Sequence, residues 1–188
     1  MTRGSPREYI GAVKAEVEQK TTLEQAARSG DPEAAVNLGL FWARRNARRR
    51  ARAAYERAIG SAHPEWAPAA AINLGNLLRE SGDPAGARAA YERAIESGHR
   101  EWAPAAALNL AGMLTEAGDT AGAMAAYEQV LGSGHPEHGP LAAYNLGALR
   151  HNAGDRAGAG AAYQHAIESG GPELARLAAS RLARLTPS

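Results

Sequence analysis

Apolar side chains recur along this chain at spacings of three and four residues, a pattern typical of amphipathic helices. In the segment 68–82, the apolar positions with this spacing are Ile72, Leu74, Leu77 and Leu78. Pro68 suits the first turn of a helix, where its missing N–H is not needed, and Gly82 supplies a left-handed stop. A second run begins after Asp83, a plausible helix cap, and its apolar positions are Ala87, Tyr91, Ala94 and Ile95. The segment therefore predicts two consecutive helices joined by a tight turn.

This helix pair is repeated with a step of 36 residues. The positions that show the step are Asn37, Asn73, Asn109 and Asn145, and Tyr55, Tyr91, Tyr127 and Tyr163. Four copies follow, at 32–67, 68–103, 104–139 and 140–175. One pair cannot bury its apolar face alone, so neighbouring pairs must stack into a continuous core. We therefore predict an all-α array of helix-turn-helix repeats.

The copies resemble tetratricopeptide repeats, whose pattern runs Trp-x2-Leu-Gly-x2-Tyr, then Ala-x3-Phe, then proline. The second copy matches with Leu74-Gly75, Leu78, Ala87 and Tyr91, although Ala71 stands in the tryptophan place. The resemblance implies a right-handed superhelical solenoid. The usual repeat has about 34 residues, and we expect the extra length here in the linkers, around Glu65-Trp66 and Glu101-Trp102. Such linkers also give a weaker similarity to Sel1-like repeats.

The two ends of the array are expected to be atypical, because terminal repeats must face water. We predict an N-terminal helical cap over 1–31 and a C-terminal capping helix and tail over 176–188, with the helical pattern there starting at 172. In the N-terminal cap, Thr21-Thr22 is a candidate position for a break that divides the predicted helix in two. The apolar stripe of that cap consists of Tyr9, Ile10, Val13, Val17 and Leu23.

The composition narrows the class of protein further. Aromatic residues make up 5% of the 188 residues, and the apolar content is mostly alanine, the best helix former. The net charge of +1 does not suggest a dedicated nucleic-acid binder. The chain has no cysteine, no apolar core of a signal peptide and no stretch of the ~20 apolar residues that a membrane span needs. A cytoplasmic protein is the expectation.

Catalytic chemistry is not indicated by the motifs. His63, His99 and His135 are each followed two residues later by a glutamate, and these are Glu65, Glu101 and Glu137. Adjacent copies would place these side chains roughly 10 Å apart, a helix-packing distance, which is too far to share a metal ion. We interpret them as a linker signature, with His closing one helix and Glu starting the next. No phosphate loop or nucleophile motif is present, so we expect no enzyme activity, cofactor or metal.

The resemblance implies a partner-binding groove built from the first helix of each pair. The positions that correspond are Val36, Leu40 and Arg44; Ile72, Asn76, Arg79 and Glu80; Leu108, Gly112, Thr115 and Glu116; and Tyr144, Ala148, His151 and Asn152. The expected apolar bottom consists of Val36, Leu40, Ile72, Leu108 and Tyr144. Such a strip suits an amphipathic helix or an extended apolar peptide of a protein partner. The alternatives are that these residues pack between helices, that segment 6–29 fills the groove, or that a second copy of the chain does.

A cluster of arginines supports a second hypothesis. The first copy replaces the Gly-Asp turn of the others with ARRNARRRAR, and its cations are Arg44, Arg45, Arg48, Arg49, Arg50 and Arg52, with Arg57 nearby. Positive charge of this density attracts anions. The chain could therefore be an anion-directed binder of an acidic protein or of nucleic acid. Nucleic-acid binding usually adds aromatic residues, and the two nearby, Trp42 and Tyr55, occupy core-like positions.

Overall fold

The protein is described by a computed structural model that covers the backbone of residues 6–185 and the side chains of residues 11 and 13–185. Over this range the chain forms helices and no strand, which confirms the all-α fold class. The helices are α1 (Pro6–Arg28), α2 (Pro32–Ala43), α3 (Arg48–Gly60), α4 (Trp66–Glu80), α5 (Pro84–Glu96), α6 (Trp102–Glu116), α7 (Thr120–Gly132), α8 (His138–Asn152), α9 (Arg156–Ser169) and α10 (Pro172–Ala183). The side chains of Tyr9 and Ile10, and the predicted cap segments 1–5 and 186–188, lie outside the described residues.

The helices fall into two compact units that divide between Asp83 and Pro84. The first unit contains α1 to α4, and the second contains α5 to α10. The helix pair of the first copy, α2 and α3, lies within the first unit. The pairs of the third and fourth copies, α6 with α7 and α8 with α9, lie within the second unit. The division therefore cuts through the second predicted copy, 68–103, between its two helices.

The predicted Gly-Asp punctuation ends one helix and starts the next. Gly118 and Gly154 have positive φ angles of 78° and 84°, so they take the left-handed conformation that suits glycine after a helix. Asp119 and Asp155 then accept hydrogen bonds from backbone N–H groups in the first turns of α7 and α9. In the arginine-rich turn, Asn46 takes the left-handed conformation instead, with a φ of 56°. Asparagine is the side chain that best tolerates this region after glycine.

The first helices of the later pairs start earlier than the sequence predicts. Helices α4, α6 and α8 begin two residues before Pro68, Pro104 and Pro140. The linkers between copies are therefore 61–65 and 97–101, and Trp66 and Trp102 are the first residues of the helices that follow. The prolines still lie within the first turn, where no intrahelical N–H bond is lost.

Glycine allows the two helices of a pair to approach closely. A Cβ atom added at Gly147 would lie 2.8 Å from two ring atoms of Tyr163. The same relation holds between Gly39 and the ring of Tyr55 in the first unit. Both tyrosines are buried, and burial raises the pKa of Tyr55 to about 12. Glycine at these two positions therefore permits the close packing of the two helices.

The end helices pack as caps. Helix α1 contacts α2 and runs unbroken through Thr21-Thr22, where both hydroxyls donate to carbonyl oxygens one turn earlier, at 2.8 and 2.9 Å. The candidate break there is wrong. Helix α10 packs on α9, with Ala178 and Leu185 buried and Leu177 exposed. None of the described helices combines the length and the apolar character that crossing a membrane requires.

Candidate functional site

In the first unit, two of the predicted groove residues belong to the core. Val36 is 3% exposed and Ile72 is 8% exposed, so neither side chain is open to a partner. Both residues belong to the buried core, so we do not count them in the candidate surface described below. Leu40 remains half-buried on α2. The other predicted positions of this unit are polar and at least partly exposed, and they are Arg44, Asn76, Arg79 and Glu80.

In the second unit, helix α6 presents a partly open apolar stripe. Leu108 is half-buried, and its other side packs against the core cluster that contains Tyr127 and Leu146. One turn further, Gly112 is partly exposed, and a Cβ atom there would meet nothing within 4 Å. The helix backbone is therefore uncovered at Gly112. Thr115 is exposed at the polar end of the stripe.

Helix α8 presents a matching stripe in the same unit. Tyr144 and Ala148 are half-buried, and His151 and Asn152 are exposed at the C-terminal end of the helix. Leu141 lies on the same stripe, three residues before Tyr144 and seven before Ala148. It is 39% exposed, which is unusual for a leucine in this chain. Sequence reasoning missed Leu141, although its helical register relative to Tyr144 could have indicated it.

Polar contacts hold some of these side chains in place. The hydroxyl of Thr115 donates to the carbonyl oxygen of Ala111 at 2.8 Å. Tyr144 is hydrogen-bonded to Arg181 of α10, and its ring centroid lies 5.9 Å from that of Tyr163. Helices α6 and α8 contact each other, so we take their two stripes together as one candidate surface, defined by Leu108, Gly112, Leu141, Tyr144 and Ala148. We call this surface the α6/α8 face.

The repeated histidines accept hydrogen bonds from backbone N–H groups at the starts of helices. Nδ1 of His135 accepts the backbone N–H groups of Glu137 and His138, at 3.3 and 3.2 Å. His63 and His99 accept the two corresponding N–H groups before α4 and α6. Each histidine therefore caps the helix that follows it. The interpretation as a linker signature fits, but the expected role of closing the preceding helix is wrong.

One of these histidines also meets an acidic side chain of the preceding copy. Nε2 of the buried His135 lies 3.1 Å from a carboxylate oxygen of Glu101. The expectation that these positions stay too far apart to converge is therefore wrong. The hydrogen bond from His135 lowers the pKa of Glu101. The His138 ring stacks on His135 with centroids 4.4 Å apart, and burial, followed by the charge of His135, lowers the pKa of His138.

This cluster offers three potential metal ligands, one each from Glu101, His135 and His138, within 4.8 Å of one another. Two features fit a metal ion poorly. The imidazole planes are only 18° apart in a stack, so their in-plane lone pairs run side by side and do not converge. In addition, Nδ1 of His135 is an acceptor, which leaves the proton of the neutral ring on Nε2, the atom nearest Glu101. A hydrogen bond satisfies this arrangement, whereas a metal ion would have to displace that proton and disturb the cap.

The arginines of the first copy do not form one uniform patch. Arg45 donates to Glu16 of α1 at 2.8 Å, and its guanidinium lies 3.6 Å from the ring centroid of Phe41. Arg52 pairs with Glu56 one turn further along α3, at 2.7 Å. The remaining members of the predicted patch are exposed, and they are Arg44, Arg48, Arg49 and Arg50. Only part of the predicted positive charge is therefore free of a neighbouring carboxylate among the described residues.

Known proteins of the same fold are similar to this chain over most of its length. BtubC (BKLC) from P. vanneervenii has a TM-score of 0.67 at 17% identity, covering 91% of this chain and 83% of that one. YrrB, described as a TPR protein with an unusual peptide-binding site, has a TM-score of 0.62 at 19% identity and coverages of 92% and 88%. A structure of MamA has a TM-score of 0.66 at 19% identity and coverages of 90% and 95%. Comparison with curated protein sequences gives no match.

The sequence profile described as tetratricopeptide repeat matches residues 41–96 and 72–138. The two matches overlap and together span residues 41–138, which is more than half of the chain. They include helices from the first three of the copies deduced from the 36-residue step. The fourth copy carries the same close Gly147–Tyr163 packing as the first copy carries at Gly39 and Tyr55. The chain therefore belongs to the tetratricopeptide repeat family.

Proposed function

We propose that the chain is a non-catalytic protein–protein interaction module whose second unit holds an apolar peptide or an amphipathic helix on the α6/α8 face. The tetratricopeptide fold supports a role in protein–protein interaction in general. The peptide as the ligand and the α6/α8 face as its site are our proposal. The observation that carries it is the partly exposed apolar stripe on two successive first helices.

The shape of the α6/α8 face favours an inserted apolar side chain. At Gly112, one turn from Leu108, a Cβ atom would meet nothing within 4 Å, so an apolar side chain of a ligand can approach the helix backbone there. On α8, the 39% exposed Leu141 and the half-buried Tyr144 add apolar surface, and removing this surface from water is favourable. A segment with apolar residues at helical or alternate spacing would bury this surface.

Polar groups around the face would orient the ligand. Thr115, His151 and Asn152 are exposed at the C-terminal ends of α6 and α8, where they could hydrogen-bond the backbone of a bound peptide. The first unit offers a more polar face, with Leu40, Asn76 and Arg79 partly open, for which we propose polar contacts to a partner. A peptide-binding site is also described for YrrB, a protein of the same fold.

The test is to place a side chain on the α6/α8 face without disturbing the fold. A random peptide library displayed on phage is selected on the wild-type protein, and the dissociation constants of the selected peptides are measured by fluorescence anisotropy. Gly112→Leu places a side chain in open space on the face, and we expect it to weaken binding about tenfold or more, which is about 1.4 kcal/mol. Leu141→Lys should act in the same direction.

The matched control is Gly132→Leu, which introduces the same side chain at the end of α7, where a Cβ atom also meets nothing within 4 Å. It should leave the affinity unchanged, and far-UV circular dichroism should show equal helix content in all variants. Peptides that bind Gly112→Leu as tightly as the wild type would refute the α6/α8 face as the site. A selection that enriches no apolar peptides would refute the proposed ligand class.

A further inference from the structure

We infer that the first unit carries a second binding site, a cationic cleft between α1, α2 and α3 that takes an acidic segment of a protein partner. The cleft has a volume of about 410 Å³. Its cationic walls and apolar floor are formed by Lys20 and Arg28 of α1, Arg50 and Arg57 of α3, and Leu38 and Trp42 of α2. It lies wholly in the first unit and shares no residue with the α6/α8 face.

The charge of this cleft is not neutralised by its own lining. The four cations face one carboxylate, that of Glu24, which lies 4.0 Å from the guanidinium of Arg28. Within the described part of the chain, Lys20, Arg50 and Arg57 form no ion pair. Several like charges held together raise the local positive potential and attract anionic groups.

One cation of the cleft is held in place for recognition. The guanidinium of Arg50 lies 4.5 Å from the centroid of the Trp42 ring, a cation–π contact that limits its motion. Its N–H groups stay available, because stacking uses the face of the guanidinium and hydrogen bonding uses its edges. A carboxylate can therefore be bound in the bidentate manner that arginine favours. The part of the half-buried Trp42 that Arg50 leaves exposed would contact an apolar side chain next to that carboxylate.

These features favour an acidic peptide over nucleic acid. Binding of single-stranded nucleic acid uses exposed aromatic faces on which bases stack. Here Arg50 already covers Trp42, and Tyr55 is buried in the core. A cleft of this volume accommodates a few side chains, and Glu24 on its wall repels a continuous row of phosphates. An acidic segment can place its carboxylates on the arginines and its apolar residue on the floor.

The cleft is a property of the first copy and not of every repeat. The positions 36 residues after Arg50 and Arg57 are Gly86 and Arg93, so the next copy keeps only one of the two α3 cations. Arg93 is exposed at the corresponding place on α5. The chain thus supplies a matched control: Arg93→Gln removes the same charge from the same helix position outside the cleft.

The experiment uses three fluorescein-labelled probes with the full chain: an eight-residue peptide of glutamates with two central leucines, the same peptide with glutamines, and a twelve-nucleotide single-stranded DNA. We expect the glutamate peptide to bind most tightly and to lose affinity as sodium chloride is raised, since the contacts are ionic. Arg50→Gln combined with Arg57→Gln should weaken it about tenfold or more, which is about 1.4 kcal/mol. Lys20→Gln combined with Arg28→Gln, on exposed or half-exposed α1 positions, should weaken it as well.

Arg93→Gln should leave the affinity for the glutamate peptide unchanged, and so should Gly112→Leu, which separates this site from the α6/α8 face. Equal binding of the glutamine peptide would overturn the inference, because charge would then not be recognised. Unchanged affinity in both double variants would overturn the location of the site. Tighter binding of the DNA than of the glutamate peptide would show that the cleft serves nucleic acid.

Discussion

Replacing Gly147 with alanine tests the close packing inside the fourth helix pair. The new Cβ atom would lie 2.8 Å from Cδ1 and Cε1 of Tyr163, against the 3.5–4.0 Å that is favourable between carbon atoms. Tyr163 is 1% exposed, so its ring has no solvent to move into. Overpacking of this kind typically costs about 1–3 kcal/mol. Alanine also gains about 1 kcal/mol over glycine inside a helix, so the free energy of unfolding should fall by up to about 2 kcal/mol.

Gly112→Ala is the matched substitution, in the first helix of the preceding pair of the same unit. Its Cβ atom meets nothing within 4 Å, so only the gain in helix propensity remains. We expect Gly112→Ala to raise the free energy of unfolding by up to about 1 kcal/mol. Because the propensity gain is common to both variants, the difference between them isolates the overpacking cost of about 1–3 kcal/mol.

Urea denaturation followed by far-UV circular dichroism measures both variants beside the wild type. Equal stability of Gly147→Ala and Gly112→Ala would refute the reasoning, since the Tyr163 ring would then have moved without cost. The chain itself shows that alanine can occupy this position, because Ala111 lies 36 residues before Gly147 and shares a core cluster with the buried Tyr127. The prediction therefore depends on the position of the Tyr163 ring, because alanine is tolerated at the same repeat position in another copy.

Two further predictions concern pH and a buried hydroxyl. The lowered pKa of His138 means that the unfolded chain binds a proton more readily near neutral pH, and the lowered pKa of Glu101 extends the same effect to more acidic solution. The free energy of unfolding should therefore be largest above the ordinary pKa of histidine and fall as the pH decreases, with a limiting slope of about 1.4 kcal/mol per pH unit for each proton taken up. Urea denaturation at a series of pH values measures it, with His138→Asn expected to flatten the upper part of the curve; stability that rises on acidification would contradict the assignment. Tyr127→Phe should cost about 0.5–1.5 kcal/mol, because it removes hydrogen bonds to Thr115 and Asn145. Tyr163→Phe should leave stability unchanged or higher, because the buried Tyr163 hydroxyl has no hydrogen-bond partner in the described part of the chain; equal losses in the two variants would contradict this.

The helix pairs and their punctuation were accessible from the sequence because their causes are local. Gly118 and Gly154 stop helices through a backbone conformation that glycine adopts easily. Asp119 and Asp155 then cap the next helices through side chains only a few residues away. The same stop and cap residues recur every 36 residues, so the all-α fold and the order of its helices could be predicted from the repeat. The helix starts at Trp66 and Trp102 were less accessible, because a proline in the first turn does not define which residue of that turn comes first.

The sequence by itself determined the helices, their pairing and the small residues between them, since neighbours along the chain decide these features. Only the tertiary structure decided which apolar side chains of the first helices are exposed to solvent. Val36 and Ile72 are buried, whereas Leu141 is exposed. It also brought His135 to Glu101, 34 residues away, and placed Lys20 of α1 in one cleft with Arg50 of α3. Exposure and proximity of this kind depend on how other helices pack around a residue. The physical reason is that helical periodicity defines the face on which a side chain lies, whereas the partner of that face comes from distant parts of the chain.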